Sequence, residues 1–540
     1  MTHQIPVLYG TETGNSEYCA EQLADELVAA GFDAMPIDMQ EFNHEDILAE
    51  PVVFIVTSTY GNGGPPFSAE AFLRYLETEE LDLTHLKFAV CGLGDSTFEL
   101  FAQCGKDFEK ALLRGSAMQI LPRFDCDTDY DMAFEEFQNA AIDYLSKNRD
   151  TIFDAPVVSA KSAVAKAEPV SYGRDRPFPA PLALKKLLSQ PGSNKETMHY
   201  ELDLKGSELS YRVGDCFAVY PQNQPAEIAA IMDALGMDSD DVVEWRGDVM
   251  GIDQALQRAC LQQITLDMMR LIAATSGNAS RPAAVALNEG GDALEEFRQG
   301  HHIIDLLQTH KTSGIGPQTF VSALRKLQPR LYSVASSPTA QPDRVGLVIE
   351  TLRYEWNDRS VQGVASCWLA DRIDESQTVP TYVVKNDDFQ FPYDDRPVIM
   401  VGPGTGVAPF RGYLAELEAR RLSNETWLFF GHQHQAFDYL YRQDLERWFE
   451  SGVLDRIDFA WSRDQSDKVY VQDRIAEQGA ELWRWFERGA LVYVCGDAKG
   501  MAPGVEAAFA AIAEQHGGKT DGQAWLQQII AAGRFKTDVY

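Results

Sequence analysis

The sequence predicts a multidomain chain of α/β and β architecture. Three observations carry this: a length of 540 residues, two stretches where apolar strands alternate with helical segments, and a middle stretch of strands without that alternation. Such a length allows three or four domains, each able to bury its own core. In residues 1–150 the runs IPVLYG, DAMPID, PVVFIVTS, KFAVCGLG and MQILPRFD alternate with helical segments. The first helical segment is an amphipathic run from Ser16 to Ala30, and a helix around Phe134 to Leu145 closes the unit. The strands are near-continuously apolar, as expected of a parallel, doubly wound sheet covered on both faces.

Residues 151–178 replace this pattern with alanine, serine, proline and lysine, the composition of a tether that lets the flanking domains move. Residues 179–395 hold MHYELDLKG, YRVGDCFAVYP, RLYSVASSP, VGLVIETLRYEW and TVPTYVVKN, which suggest an antiparallel β-barrel. The barrel is interrupted from about 225 to 327 by a helical insertion containing PAEIAAIMDALG and LEEFRQGHHIIDLLQTH. Strand and helix alternate again over 396–540, through PVIMVGPGTG, ETWLFFGH, RIDFAWSRD and ALVYVCGD, so a second parallel α/β domain is expected there.

Charge and cysteine use narrow the function classes. The formal net charge is −34, and residues 1–150 hold 28 acids against 8 bases, which disfavours a nucleic-acid partner. That acidity steers a positively charged partner toward the first third of the chain, or serves solubility. The eight cysteines include no C-x-x-C pair, so neither a zinc nor an iron–sulfur ligand set is expected. The N-terminal MTHQIPVLYG lacks the basic start and long apolar run of a signal peptide, and no stretch has the apolar length of a membrane helix. A cytoplasmic protein without a membrane partner is expected.

The loops carry the chemistry. YGTETGNS lies between a strand and a helix, where Thr11, Thr13 and Asn15 offer short polar side chains and Gly10 and Gly14 relieve crowding. This is a phosphate seat at a helix start, without the G-K-[ST] ending that phosphoryl transfer requires. Two more loops follow sheet strands: TSTYGNGGPP, with Tyr60, and GLGDSTFELF, with Phe98. Two rings set to sandwich a flat heterocycle above a phosphate seat imply flavin mononucleotide. Near the other end, VGPGTGVAPFR offers Gly402, Gly404, Gly406 and the hydroxyl of Thr405 to a pyrophosphate. WSRDQSDKVYVQD brings Ser462, Arg463, Lys468 and Tyr470 into an acidic chain, which suits the 2′-phosphate of NADPH and disfavours NADH.

These motifs, in this order, resemble the diflavin reductases, in which a flavodoxin-like FMN domain is joined to a ferredoxin-NADP-reductase-like FAD and NADPH unit. The resemblance covers essentially the whole chain. RLYSVASSP, VIMVGPGTGVAPFR, AWSRDQSDKVYVQD, GAELWRW and the closing DVY are most similar to the sulfite-reducing branch of that family. For FMN the resemblance implies Thr11, Glu12, Thr13, Gly14, Asn15, Ser58, Thr59, Tyr60, Gly61, Gly63, Leu93, Gly94, Asp95, Phe98, Phe101 and Asp127. For FAD it implies Arg330 on the pyrophosphate, Leu331, Tyr332 against the ring, Ser333 near its reactive edge, and the phosphate loop Gly363, Val364, Ala365 and Ser366. For NADPH it implies Gly404, Thr405, Gly406, Ser462, Arg463, Lys468, Tyr470, Gln472, Cys495 and Asp497.

The same resemblance makes Ser333, Cys495, Asp538 and Tyr540 the catalytic group, with Tyr540 stacked on the FAD ring as a displaceable lid. It implies electron flow from NADPH to FAD to FMN and then to a haemoprotein acceptor, the haemoprotein (beta) subunit of sulfite reductase. No haem ligand motif is expected in this chain itself, and no metal. Two alternatives stay open on sequence: a general NADPH-haemoprotein (cytochrome) reductase, and a non-catalytic flavin-binding redox sensor.

Overall fold

The structure is a computed structural model that describes residues 4–59, 63–96, 100–152, 172–174, 176–275, 282–310, 314–356 and 359–540. Tyr60, Gly61 and Phe98, and most of the expected tether, lie outside the described residues. The chain divides into two compact units, Met1–Ala167 with Asn223–Gln328, and Glu168–Gln222 with Pro329–Tyr540.

In the first unit the strands β1 (Gln4–Gly10), β2 (Asp33–Asp38), β3 (Val52–Ser58), β4 (Lys87–Leu93) and β5 (Met118–Gln119) form a sheet in the order β2-β1-β3-β4-β5. All pairs are parallel, and β6 (Phe124–Cys126) also pairs with β4. Helices α1 (Asn15–Ala29), α2 (Phe67–Thr78), α3 (Gln103–Arg114) and α4 (Asp131–Ile152) cover the sheet. Val7, Phe54 and Ala89 face a core with Leu23 and Phe137, while Leu8, Ile55 and Val90 face another with Phe72 and Phe108. Burial on both faces is why these strands read as unbroken apolar runs. The expected strand MQILPRFD is instead two short pieces, because Pro122 between them cannot donate to the ladder. Chain order reverses between β1 and β3, and in such sheets ligands sit beyond the carboxyl ends of the strands at that point.

The helical insertion has its own core, with Ile231, Ile252, Met268, Leu306 and Phe320 among its buried residues. It also contains a hairpin of Val242–Trp245 and Asp248–Gly251, which the sequence did not reveal. Arg246 pairs with Glu21 of α1 at 2.7 Å, Lys326 with Glu17 of α1 at 3.2 Å, and Arg270 with Glu135 of α4 at 2.6 Å.

The second unit begins with a six-stranded antiparallel sheet. Its order is Arg330–Ser333, Cys216–Val219, Thr378–Val384, Phe178–Leu187, Thr197–Asp203, Arg344–Glu350. Phe178–Leu187 is a ten-residue strand opening in a stretch whose proline-rich composition reads as tether. Pro179 and Pro181 are tolerated beside Pro380 and Thr378, and the strand then shifts register between Leu182 and Leu184. A five-stranded parallel sheet follows, in the order Arg456–Trp461, Thr426–His432, Val398–Val401, Leu491–Gly496, Phe535–Val539. The last strand places the C-terminus against the sheet: Tyr540 N–H donates to the Gly496 carbonyl at 3.0 Å. Among the described residues no helix is long and apolar enough to cross a membrane.

Candidate active site

The first candidate site lies at the carboxyl ends of β1, β3, β4 and β6. Gly14 caps α1 in a left-handed conformation (φ 83°) with no side-chain cap, so the helix's first N–H groups are left for a ligand. Thr11 Oγ1 accepts from Gly14 N–H at 2.8 Å and fixes the loop, while the buried Ser16 hydroxyl finds no protein partner among the described residues. An open helix start beside an orphaned hydroxyl fits the phosphate of FMN. Thr59 N–H donates to Leu93 O at 2.9 Å and Thr59 Oγ1 accepts from Cys104 N–H at 3.2 Å, so the second and third loops are tied together. Asp127 accepts from Ser96 N–H at 2.9 Å. Burial works to raise the Asp127 carboxyl, but its bonds from Ser96 and Thr128 outweigh it and hold the group below the usual carboxylate range. Gly94 is glycine because a Cβ would lie 2.7 Å from the Ala102 nitrogen.

The second candidate site is built where the antiparallel and parallel sheets of the second unit converge. Parallel pairing sets Cys495 beside Asp538, and antiparallel pairing sets Ser333 beside Cys216. Ser333 Oγ donates to Asp538 Oδ2 at 2.7 Å, and the Cys495 thiol approaches the same oxygen at 3.8 Å. Cys216, absent from the sequence-based set, lies 3.9 Å from the Ser333 oxygen. Burial pushes the Asp538 carboxyl up, against the pull of its bonds to Ser333 and Cys495. Burial first, and then the Asp538 charge, push the Cys495 thiol well above its ordinary range, so it stays protonated and is no nucleophile. Tyr540 as a whole residue, terminal carboxylate included, is 66% exposed, and its hydroxyl meets Thr405 Oγ1 at 2.8 Å.

A cavity of about 720 Å³ opens beside these residues. Gly404, Thr405, Ser462, Tyr470, Gln472, Asp497 and Tyr540 from the sequence-based set line it, whereas Gly406, Arg463, Lys468 and Cys495 do not. The buried Oε1 atoms of Gln433 and Gln472 have no protein partner among the described residues, and an acceptor left dry in a cavity fits a polar dinucleotide. Sequence reasoning missed Lys195, Glu350, His432 and Gln433. Glu350 ends a strand of the antiparallel sheet, Lys195 lies in the connection just before the strand Thr197–Asp203, and the two form a 2.5 Å ion pair that no motif announces. Asp497 is engaged in capping: Oδ2 accepts from Gly500 N–H at 2.6 Å and Met501 N–H at 2.9 Å, which hold its carboxyl below the usual range.

The proposed FAD residues lie along one path. Arg330, Leu331, Tyr332 and Ser333 occupy a single strand, with Arg330 exposed. Gly363 opens the turn Val364–Cys367, and Ser366 Oγ accepts from Leu352 N–H at 3.0 Å. A hairpin running into Gly363 presents the part-exposed residues Tyr354 and Trp356 next to that uncapped turn in sequence. That set fits a dinucleotide carrying a flat ring system.

Comparisons with known proteins agree with this layout. The flavodoxin model matches residues 7–139, the FAD binding domain model matches 171–269 and 283–368, and the oxidoreductase NAD-binding domain model matches 400–507. The sulfite reductase [NADPH] flavoprotein alpha-component of Bacillus subtilis is 36% identical over all of this chain and 90% of its own length. Its counterpart in Zymomonas mobilis is 36% identical over 99% of this chain and 89% of its own length. That of Vibrio cholerae is 34% identical over 99% of this chain and 88% of its own. With two flavin modules and a nicotinamide module in this order, matched end to end by such relatives, the chain belongs to the family of sulfite reductase [NADPH] flavoprotein alpha-components.

Proposed function

We propose that the chain carries electrons from NADPH through FAD and FMN to a haemoprotein, the sulfite-reducing subunit that its relatives' names imply, and that it works in the cytoplasm. The eight cysteines are all free thiols, in keeping with a reducing compartment. The observation that carries the reading is the Ser333, Asp538 and Cys495 cluster beside a cavity of about 720 Å³ lined by Gly404, Thr405, Ser462 and Tyr470. When bound, the nicotinamide supplies a hydride, and the flavins accept electrons in pairs and release them singly.

The residues of the chain orient and shield. Gly404 and Thr405 would hold the pyrophosphate of NADPH, and Ser462 and Tyr470 in the cavity, with Arg463 and Lys468 of the same segment outside its lining, would hold the 2′-phosphate. Ser333 keeps its hydrogen directed at Asp538, so the serine oxygen is left as an acceptor. Asp538 holds Ser333 and Cys495 to one oxygen, fixing two side chains from two sheets at one point. The neutral Cys495 thiol would stand behind the nicotinamide site as a compact neighbour and no nucleophile. Tyr540 would shield the flavin ring and would have to move aside for hydride transfer.

Rapid mixing of the holoenzyme with NADPH tests this. Asp538→Asn keeps the shape but changes the hydrogen-bond polarity toward Ser333, and hydride transfer is expected to slow by about 10²-fold, in line with a misplaced reacting pair. In the wild type the rate falls on acidification through an ionisation above the ordinary aspartate value of about 3.9, because Asp538 is raised by burial. That limb disappears in Asp538→Asn. An unchanged rate and an unchanged pH profile would refute the assignment.

A further inference from the structure

One buried cluster of the first unit lies outside everything assigned above. Arg325, in the helical insertion, is 9% exposed and sits over the ring of Tyr18 at 4.4 Å. It pairs with Asp131 at 2.7 Å, and Asp131 is shared with Arg298 at 2.5 Å. The other arm of the Arg325 fork, Nη1, donates to the hydroxyl of Tyr130 at 2.6 Å. Tyr130 in turn donates to Asn15 Oδ1 at 3.1 Å, and Asn15 is the first residue of α1 in the phosphate seat. The segment after Arg325 lies on the same loop: a Cβ on Gly14 would fall 2.0 Å from the side chain of Gln328.

The polarity of this chain is fixed by chemistry. A guanidinium only donates, so the Tyr130 oxygen accepts from Arg325 and its one hydrogen goes to Asn15 Oδ1. Burial raises the Tyr130 phenol, which keeps that hydrogen in place. With its oxygen engaged, the Asn15 amide is left with its two N–H groups for an anion at the uncapped start of α1. We propose that Arg325 and Tyr130 are positioning residues that orient the Asn15 amide toward the FMN phosphate, so that the helical insertion tunes the phosphate seat of the flavodoxin-like domain. The inference rests on the reading of Thr11–Asn15 as the FMN phosphate seat. Its value is in joining two segments of distant sequence: the relay spans Asn15, Tyr130 and Arg325, and no local motif connects them.

The test uses the full chain with FAD in place and FMN removed, titrated with FMN and separately with riboflavin, which has the same ring and no phosphate. Tyr130→Phe and Arg325→Gln are each expected to weaken FMN binding about tenfold, the effect of one hydrogen bond to a charged group. Neither is expected to change riboflavin binding or FAD content by a comparable measure, although Arg325→Gln lowers the melting temperature because it leaves Asp131 to Arg298 alone. In an Asn15→Ala background Tyr130→Phe should produce no further loss, because both act through one amide. If Asn15→Ala alone leaves FMN affinity unchanged, the phosphate seat is elsewhere and the relay falls with it. If Asn15→Ala weakens FMN but Tyr130→Phe and Arg325→Gln do not, the seat stands and the relay is refuted. Equal losses for FMN and riboflavin would also refute it, since they mark a general loosening of the domain.

Discussion

Tyr540 shows how much a single residue's setting decides. Its backbone is held by Gly496 and Ala498 as the extension of an edge strand, while the residue as a whole is largely exposed and its hydroxyl is tethered by a bond to Thr405. A fixed main chain on an exposed residue is what a displaceable cover needs. Stacking of such a ring on a flavin is worth about 1 kcal/mol. Tyr540→Ala is therefore expected to raise kcat/KM for NADH by roughly fivefold, the displacement cost that it removes, while NADPH, anchored in addition through its 2′-phosphate, is expected to gain less, so that the NADH/NADPH ratio rises. Steady-state kinetics with both coenzymes checks this, and an unchanged ratio would count against the lid.

At the scale of elements, the glycine loop between the Val398–Val401 strand and the helix Ala408–Arg420 divides its glycines by role. Gly404 adopts φ +59° with open space where a Cβ would go, facing the cavity. Gly406 is packed so tightly that a Cβ would lie 2.1 Å from the Cys495 carbonyl oxygen, and at Gly402 it would strike the Phe410 ring at 2.5 Å. The sequence suggested that all three glycines serve approach to a pyrophosphate, but two of them have a packing reason of their own. Gly406→Ala is expected to destabilise the second unit by about 1–3 kcal/mol, as overpacking does, and to be read as a lower melting temperature even without NADPH. Gly404→Ala should strain only its backbone and leave packing intact.

The same contrast explains what was legible. Strand and helix alternation, phosphate loops and the C-terminal aromatic are local patterns, and a sequence displays them directly. The Phe178–Leu187 strand was hidden because its prolines sit where partner strands tolerate a missing donor. Lys195, Glu350 and the Arg325 relay were hidden because only the folded chain brings them to their sites.

For the molecule as a whole, the two units carry separate duties. The unit formed by the flavodoxin-like domain and the insertion holds the proposed FMN phosphate seat, and ion pairs link acids of α1 and α4 to bases of the insertion. The other unit holds the antiparallel sheet, the cavity proposed for NADPH and the Ser333, Asp538 and Cys495 cluster. Its two sheets each supply part of the cluster, so the hydride chemistry proposed for it would depend on their joint folding. An anaerobic titration of the purified chain with NADPH, followed by its flavin absorbance, tests this division of labour most directly. The account predicts that one FAD and one FMN per chain are both bleached, with roughly two equivalents of NADPH consumed. A single bleached flavin, or a spectrum that stays yellow in excess NADPH, would contradict it.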